Sequence, residues 1–447
     1  MLIVSNYTIF STMNCKNKYI VHGYTGSVDL LEENVYSKLL QISKMKKEKQ
    51  ETLLSSLKDI DTLIERGYVV SSYKDEEKYY RIANHLYESR SMITSIVIVP
   101  SMGCNFRCSY CFELTDLDMA PMKKMELSVI DSTFKYIDKL ETIKQITLFG
   151  GEPLEKDNYS IVDYIVNEGK KRNIQVNAVT NGYDLDSYIE IFKNNVNFDS
   201  IQVTLDGTRE RHDLLRYLKN GSGTFNKIIK NIQMLIKEIP KLNITIRVNL
   251  SIENESDYIA LKEYLKAKEI LSDCTNVSIY NKCLHTAYIN TKKKYMDKDI
   301  TKNDDIKHDN LTYKLHRSQI KDLLGRNSIP FRTSVCGATG NMLVVTPNKN
   351  LFACWEQIQN NNKSIGKISL EKDNRIQFNE KYLNWKKRHV HMLKNCSKCK
   401  YSLFCGGGCP NHSEIVNNDM FQSYCQDSKI MIHKSFDEAI GEKINEC

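Results

Sequence analysis

A group of three cysteines constrains this chain more than any other feature of its sequence. Cys104, Cys108 and Cys111 are separated by three and then two residues, and they follow the apolar run 96–99. Three thiols this close cannot all pair with one another as disulfides, but they can ligate three irons of a cubane iron–sulfur cluster. The fourth iron then has no protein ligand, and a metal with an open position is typical of catalytic sites. A structural zinc site is the alternative, but it normally needs a fourth Cys or His nearby, and residues 112–140 contain neither.

The composition is that of an ordinary globular protein, because 41% of the 447 residues are hydrophobic and 26% are charged. This length predicts two or three domains. No apolar run approaches the ~20 residues that cross a bilayer, and the N-terminus lacks a signal-peptide pattern, so we expect a cytoplasmic protein with no membrane partner. Thiols stay reduced in that compartment, so the fourteen cysteines are better explained as metal ligands than as disulfides.

The net charge of +8 is spread over the chain. It indicates general surface charge or weak attraction to an acidic peptide, and no nucleic-acid partner is expected.

Residues 1–85 predict a small sheet, then helices, then a further short strand. The expected strands are 7–10, 19–22, 27–31 and 68–70, and the expected helices are 35–42 and 53–64. This order is typical of a winged-helix module. A plain cap on the next domain is the alternative.

Strand and helix patterns alternate through residues 90–285. The expected strands are 95–99, 145–149, 174–179, 200–205, 244–250 and 277–280. The expected helices are 127–140, 159–170, 188–194, 225–238 and 257–267. Such alternation predicts the α/β class with a parallel sheet, closed into an open or partial barrel that binds ligands at the carboxyl ends of its strands. Residues 286–335 are charged and poorly patterned, which indicates a linker or bridging region, and 336–447 form a cysteine-rich domain.

The cysteine triplet resembles the signature of the radical S-adenosylmethionine (SAM) enzymes, in which Cys-x3-Cys-x2-Cys follows the first barrel strand. The resemblance implies a partial (β/α)6 barrel, a [4Fe–4S] cluster on the three cysteines, and SAM bound at the fourth iron. Gly150-Gly151-Glu152-Pro153, after the second expected strand, resembles the family's motif for the amino group of SAM. Glycines let a backbone approach a ligand closely, and the Glu152 carboxylate can hold an ammonium group.

Further residues resemble the family's contacts to SAM, although a turn or helix cap explains each strand-end residue equally well. The resemblance puts Tyr110 against the adenine, and it gives the carboxylate and ribose of SAM to Thr180, Thr204, Arg216 and Asn249. In this family one electron from the reduced cluster cleaves the sulfonium and gives a 5'-deoxyadenosyl radical, which abstracts hydrogen from an unactivated carbon. An electron donor such as a flavodoxin or ferredoxin is therefore implied.

Seven further cysteines follow downstream. Cys396, Cys399, Cys405 and Cys409 are spaced by two, five and three residues, Cys425 follows after fifteen more, and Cys336 and Cys354 lie upstream. This pattern resembles the SPASM extension of radical SAM enzymes that modify peptides and proteins. It implies two auxiliary [4Fe–4S] clusters, three clusters in all, held by a distal set (Cys396, Cys399, Cys405 and Cys425) and a proximal set (Cys336, Cys354 and Cys409). A zinc ribbon is the alternative, but it would use four of these seven thiols.

The proximal set departs from the family pattern. No eighth cysteine lies between Cys336 and Cys354, so either Cys283 or Cys274 completes this cluster or one iron stays open. We favour the open iron, which would accept a substrate thiolate. Lys349 stands where the family usually has Gly, in a turn that can still form.

The combined pattern predicts a maturase of a ribosomally made peptide. The N-terminal module would bind the leader of the precursor peptide as an added strand, and the predicted bond is a Cys thioether of the sactipeptide or ranthipeptide type. A carbon–carbon link such as Lys to Trp is one alternative. Sulfatase-type formylglycine formation is another, although sulfatase-maturating relatives carry Asp after the second SPASM cysteine, where this chain has Trp355. A non-enzymatic iron–sulfur carrier is a further alternative, but a carrier has no need of the Gly-Gly-Glu-Pro motif that holds SAM.

Overall fold

A computed structural model gives the fold of residues 1–13, 17–88, 92–113, 123–251, 254–284, 304–325, 331–370, 376–425 and 428–446. The chain divides into two compact units. The barrel unit consists of Met92–Leu311 and Gly337–Lys386, and the terminal unit of Met1–Ser91, Thr312–Cys336 and Lys387–Cys447. None of the described helices is both long and apolar enough to cross a membrane.

The elements are numbered in chain order. The strands are β1 (Ile3–Val4), β2 (Thr8–Met13), β3 (Asn17–His22), β4 (Val28–Leu31), β5 (Val69–Val70), β6 (Ser95–Ile98), β7 (Gln145–Leu148), β8 (Gln175–Thr180), β9 (Phe198–Thr204), β10 (Asn243–Leu250), β11 (Val277–Cys283), β12 (Met342–Val345), β13 (Asn350–Phe352), β14 (Gly366–Ile368) and β15 (Ile376–Phe378). The α-helices are α1 (Glu33–Ser43), α2 (Lys47–Ser55), α3 (Ile60–Glu65), α4 (Tyr73–Glu88), α5 (Leu127–Leu140), α6 (Tyr159–Lys171), α7 (Ile189–Asn194), α8 (Arg209–Leu215), α9 (Phe225–Glu238), α10 (Glu255–Ala267), α11 (Asp304–His308), α12 (Leu311–Leu324), α13 (Glu380–Lys387), α14 (Ser402–Cys405), α15 (Pro410–Asn417) and α16 (Ser428–Glu446).

One sheet organises the described part of the barrel unit. Its ten strands have the order β11-β10-β9-β8-β7-β6-β12-β13-β14-β15. Neighbours from β11 to β12 run parallel, and neighbours from β12 to β15 run antiparallel. Helices α5 to α10 supply the crossovers that parallel strands need. The predicted α/β class with a central parallel sheet is confirmed, and the carboxyl ends of β6 to β11 share one edge.

The predicted barrel elements lie within a few residues of those observed. Helices α5 and α9 match the predicted bounds 127–140 and 225–238, because their apolar residues recur at helical spacing and are buried. Strand β6 buries Ile96, Val97 and Ile98, so both of its faces are covered. A continuous apolar run is what such a strand requires.

Strands β12 to β15 extend the sheet and do not follow from the sequence patterns. Each has only three or four residues, too few for an alternating pattern to be recognised. The turn that joins β12 to β13 forms despite the missing glycine. Lys349 adopts the left-handed region there, with φ of 67°, and its N–H donates to the Thr346 carbonyl at 3.0 Å.

The terminal unit begins with an antiparallel sheet of β2, β3 and β4 and an antiparallel pair of β1 and β5. Helices α1 to α3 lie between β4 and β5 in the sequence. The prediction of one helix over 53–64 is wrong, because α2 ends at Ser55 and α3 begins at Ile60. The Leu57 N–H and the Ser56 hydroxyl bond back to carbonyls of the last turn of α2 and end it.

Helix α4 and the C-terminal segments share one hydrophobic core within the terminal unit. Its buried members are Tyr7, Ile9, Met13, Tyr19, Val21, Tyr80, Ile320, Phe331, Val390, Leu393, Cys396, Tyr401, Leu403, Phe404, Ile432, Phe436, Ala439 and Ile440. Residues within 1–85 also form a second core of their own, which includes Ile20, Leu39 and Tyr68. The winged-helix domain over 1–85 stays a prediction. The predicted linker 286–335 lies partly outside the described residues, and its described part contains α11 and α12.

Candidate active site

The three cysteines predicted to ligate the first cluster lie in the loop that follows β6. Cys108 is buried, and Cys104 and Cys111 are half-buried. The Arg107 N–H donates to the Tyr217 carbonyl at 2.8 Å, which fixes this loop against the segment that follows α8. Three thiols thus project from one short, tethered segment.

Burial and neighbouring acidic groups disfavour the free thiolate form of these three cysteines. Burial raises the pKa of all three, to about 12 for Cys111. Negative charge on Glu152, and then on Cys108 and Cys111, raises the pKa of Cys104 further. Buried thiols that oppose one another's ionisation are deprotonated readily only when a metal stabilises the thiolates. This donor set fits the predicted cubane cluster.

Gly150-Gly151-Glu152-Pro153 lies directly on the cysteine loop. A Cβ at Gly151 would lie 2.1 Å from the carbonyl oxygen of Gly103, so only glycine fits there. The Glu152 N–H donates to the same carbonyl at 2.8 Å. Gly150 has φ of 122°, a conformation that favours glycine. The two glycines therefore bring Glu152 next to the cysteine loop, where its charge raises the pKa of Cys104 and Cys108.

The Glu152 carboxylate is buried and surrounded by neutral donors. Oε1 accepts from Thr180 Oγ1 at 2.6 Å and from the Leu154 N–H at 2.9 Å, and Oε2 accepts from the Asn181 N–H at 2.6 Å. Burial raises its pKa to about 7, although these hydrogen bonds lower it. No ion pair among the described residues involves Glu152. An ammonium group on a ligand would supply the missing positive charge, so the site fits the amino group of SAM.

The end of β8 positions both Glu152 and the first cysteine. Thr180 uses its hydroxyl to hold Glu152, and its contact to SAM stays a prediction. The Asn181 side chain donates to Asn105 Oδ1 at 2.8 Å and lies 4.0 Å from Cys104 Sγ. The sequence analysis did not predict this role of Asn181. The position of a polar residue just after a parallel strand could have indicated it.

Asp206 lies next to three residues that are predicted to touch SAM. They are Tyr110, Arg216 and Asn249. The Tyr110 hydroxyl donates to Asp206, and it accepts from Arg216 Nη1 at 2.8 Å and from Asn249 Nδ2 at 3.1 Å. The Asn249 N–H also donates to Asp206 Oδ1 at 3.3 Å. Thr204 ends β9 just before this group and is buried. Asp206 was missed as a site residue, because only the fold brings the ends of β9 and β10 to the cysteine loop.

Arg216 is the buried cation of this group. Burial lowers the pKa of its guanidinium, but neighbouring Cys108, Tyr110 and Asp206 raise it well above its usual value. Its Nε–H is buried and has no partner among the described residues. Such an N–H suits an anionic ligand group, which agrees with the predicted contact to the carboxylate of SAM.

Two further contacts in the barrel unit were not predicted. The rings of Phe149 and Trp355 stack with centroids 5.0 Å apart, and Phe149 immediately precedes the Gly-Gly-Glu-Pro motif. Gln359 Nε2 donates to Glu113 at 3.4 Å. Burial raises the pKa of Glu113 to about 7.

The distal cysteine set comes together in the terminal unit. The pKa of Cys396 is raised to about 12, first by burial and then by Cys425, Cys405 and Cys399, in that order. These are the four cysteines that the resemblance groups on one cluster. Four thiols in one neighbourhood match the ligand number of a [4Fe–4S] cluster.

A glycine loop, residues 406–408, holds the cysteine segments together. All three glycines are left-handed, with φ of 76°, 81° and 75°. A Cβ at Gly406 would lie 2.6 Å from the carbonyl carbon of Ser334, and one at Gly408 would lie 1.9 Å from the carbonyl oxygen of Tyr424. The chain next to Cys336 and Cys425 can approach the loop only because these side chains are absent.

The proximal set is divided between the two units. Cys336 and Cys409 belong to the terminal unit, and Cys354 belongs to the barrel unit. Cys354 is buried, as is Cys283 at the end of β11, whereas Cys274 is exposed. The ligands of the proximal cluster, including the choice between an added cysteine and an open iron, stay a prediction.

Comparison with known proteins agrees with this geometry. The profile of the Radical SAM superfamily matches residues 98–265. The chain is 33% identical over 175 residues to a "Cysteine-type anaerobic sulfatase-maturating enzyme" of Clostridium novyi, in a match that covers 37% of this chain and 46% of that enzyme. It is 24% identical over 405 residues to the "Radical SAM cyclopropyl synthase TigE" of Paramaledivibacter caminithermalis, in a match that covers 79% of this chain and 77% of that protein. The chain thus spans about half the length of the first relative and most of the second.

Solved structures show the same fold. Native anSMEcpe with bound AdoMet has a TM-score of 0.60 at 19% identity, covering 79% of this chain and 100% of that one. Native anSMEcpe with bound AdoMet and the Cp18Cys peptide has a TM-score of 0.56 at 20% identity, covering 79% of this chain and 99% of that one.

Proposed function

Since the chain contains a radical SAM domain at residues 98–265, we propose that it matures a ribosomally made precursor peptide by forming a Cys thioether. The observation that carries the enzymatic part is the buried Glu152 carboxylate. It lies beside the loop of the three cysteines, accepts hydrogen bonds from three neutral donors and has no ion-pair partner among the described residues. A mere electron carrier has no use for this carboxylate.

Each residue of the site has a stated task in this proposal. Cys104, Cys108 and Cys111 would hold a [4Fe–4S] cluster, which with bound SAM supplies the 5'-deoxyadenosyl radical that removes hydrogen from the precursor. Glu152 accepts the ammonium group of SAM, and Thr180 keeps the carboxylate oriented. Cys108, Glu152 and Thr180 are buried, which limits the access of water to this part of the site.

The second set of tasks belongs to the group around Asp206. Arg216 offers its free Nε–H to the carboxylate of SAM, and the shared hydrogen bonds of Tyr110 and Asn249 keep the guanidinium in place. Tyr110 belongs to the cysteine loop, so its hydrogen bonds would hold the SAM-binding residues at a fixed position relative to the cluster.

Two observations support a peptide substrate. One solved neighbour of this fold, anSMEcpe, was determined with a bound peptide. In the terminal unit, β4 is an edge strand of the sheet formed by β2, β3 and β4, and its Leu30 is 54% exposed. An unpaired edge strand accepts an extended peptide as a further strand, so we assign the leader of the precursor to β4.

Carbon–carbon bond formation is the second candidate. The match that extends over 79% of this chain is to a relative named as a cyclopropyl synthase. A carbon–carbon link in the precursor, of the Lys to Trp kind or within one side chain, would use the same radical. Sulfatase-type oxidation has the weaker case, because Trp355 occupies the position where such relatives carry Asp.

Mass spectrometry of the product distinguishes these candidates. Reconstituted, reduced protein would be incubated with SAM and with the product of any short open reading frame that neighbours its gene, then with iodoacetamide. A thioether removes two hydrogens and protects one cysteine from alkylation. Loss of two hydrogens with all cysteines alkylated would favour the carbon–carbon link and contradict the thioether.

A further inference from the structure

A buried arginine lies among the C-terminal cysteines, and no step of the proposed function uses it. Arg388 has 0% of its surface exposed. Its Nε–H donates to the Met420 carbonyl at 2.6 Å, and Nη2 donates to the Gly407 and Gln422 carbonyls, each at 3.2 Å. Three backbone carbonyls therefore fix the plane of the guanidinium.

The remaining nitrogen, Nη1, is buried and has no hydrogen-bond partner among the described residues. It lies beside the glycine loop, since a Cβ at Gly407 would lie 3.6 Å from it. Four cysteines act on its charge, namely Cys409, Cys336, Cys396 and Cys405. The free nitrogen thus lies where the loop between Cys405 and Cys409 passes.

The charge of Arg388 also lacks a partner. No ion pair among the described residues involves it, and burial lowers its pKa while the four thiols raise it. A buried guanidinium without a counter-ion is strongly unfavourable. Cysteine thiolates on an iron–sulfur cluster carry net negative charge and accept hydrogen bonds at sulfur. Such a cluster would satisfy both the charge and the free N–H.

We propose that Arg388 is a positioning residue that donates its Nη1 N–H to a sulfur of an auxiliary cluster, beside Cys405 and Cys409, and raises the reduction potential of that cluster. This inference rests on the proposed function, because it requires auxiliary clusters on these cysteines. The physical reason is that a reduced cluster carries one more negative charge, so a nearby cation and N–H stabilise it more than the oxidised form.

The test uses the full chain with Cys104, Cys108 and Cys111 all changed to Ala, so that only auxiliary clusters remain. Arg388→Gln removes the positive charge. Arg388→Lys keeps the positive charge but lacks the planar guanidinium with its several N–H donors. The matched control is Arg317→Gln, because Arg317 of the same unit pairs with Glu438 and Glu442. The readout is a reductive titration followed by electron paramagnetic resonance, with iron counted for each protein.

We expect Arg388→Gln to disfavour reduction about tenfold, which is a shift of about 59 mV to more negative potential for one electron. Arg388→Lys should fall between this variant and the background, and Arg317→Gln should match the background. An unchanged potential in Arg388→Gln with full iron would overturn the role of Arg388 and leave the proposed function standing. A background protein without auxiliary iron would contradict the auxiliary clusters themselves.

If Arg388→Gln loses the cluster, a spectroscopic measurement on protein that keeps Arg388 tests the same hydrogen bond. Protein carrying nitrogen-15-labelled arginine should show nitrogen-15 coupling to a reduced auxiliary cluster in pulsed spectra, and Arg388→Lys should lose it. Absence of this coupling in protein that keeps Arg388 would overturn the inference.

Discussion

Glu152 is the candidate residue for binding a cationic ligand group, because it is a buried carboxylate without an ion-pair partner among the described residues. Its oxygens accept three hydrogen bonds from neutral donors, yet no described cation pairs with it. Hydrogen bonds of this kind fix the position of a carboxylate without neutralising its charge. A ligand that brings an ammonium group therefore gains both a counter-charge and an oriented acceptor.

The first prediction concerns the charge of Glu152. Glu152→Gln keeps the shape of the side chain and removes its negative charge, so we expect SAM to bind roughly 10- to 100-fold more weakly, as for a lost charged hydrogen bond of about 1.5–3 kcal/mol. Isothermal titration of the reconstituted protein with SAM measures this. Glu263→Gln, at an exposed glutamate of α10, is the matched control. Equal affinity in both variants would contradict the assigned role.

A second prediction concerns Gly408. A Cβ there would lie 1.9 Å from the Tyr424 carbonyl oxygen, so Gly408→Ala should push the Cys425 segment away and add strain of about 1–3 kcal/mol. We expect less bound iron and a lower thermal unfolding midpoint. Gly221→Ala is the control, because Gly221 is also left-handed but has no heavy atom within 4 Å of its Cβ position. If the two variants retain iron equally, the glycine loop does not hold the cysteines together.

At the scale of elements, the shared core changes how peptide binding can be tested. Strands β2 and β3 and helix α4 pack with the cysteine-rich C-terminal segments inside the terminal unit. Deleting residues 1–85 would therefore expose that core and disturb the distal cysteine set. A substitution on the surface of β4 avoids this problem.

A third prediction follows for that strand. Leu30→Lys changes an exposed side chain of β4, and we expect at least tenfold weaker binding of the precursor because a leader strand would lose an apolar cross-strand contact. SAM cleavage without peptide should be unchanged. Leu53→Lys on α2, 40% exposed in the wild type, is the control, and fluorescence anisotropy with labelled precursor is the measurement. Equal binding of the precursor by both variants would contradict the assignment of the leader to β4.

Sequence patterns predict the elements that bury apolar residues at regular spacing and miss the others. Helix α4 is the clearest omission, because its most buried positions are Glu76, Tyr80 and Asn84. These residues recur every four positions, as a helix requires, but two of them are polar and give no hydrophobic stripe. The tertiary structure supplies their partners, such as Ser402 for the Tyr80 hydroxyl.

At the scale of the whole molecule, the cysteine groups were predictable and their supporting residues were not. Spacing alone separates the triplet of the barrel unit from the distal set of the terminal unit. Asp206, Arg388 and the glycine loop contact segments that are distant in sequence, so no local pattern identifies them. The candidate ligands therefore follow from spacing in the sequence, whereas the residues that contact them follow only from the fold.

The most direct test combines iron content with SAM cleavage. Reconstituted wild-type protein should bind three [4Fe–4S] clusters, and after reduction it should convert SAM to methionine and 5'-deoxyadenosine, measured by liquid chromatography. The variant with Cys104, Cys108 and Cys111 changed to Ala should keep two clusters and lose cleavage. A wild-type protein that holds a cluster on these three cysteines but forms no 5'-deoxyadenosine would contradict the assignment of this chain as a radical SAM enzyme.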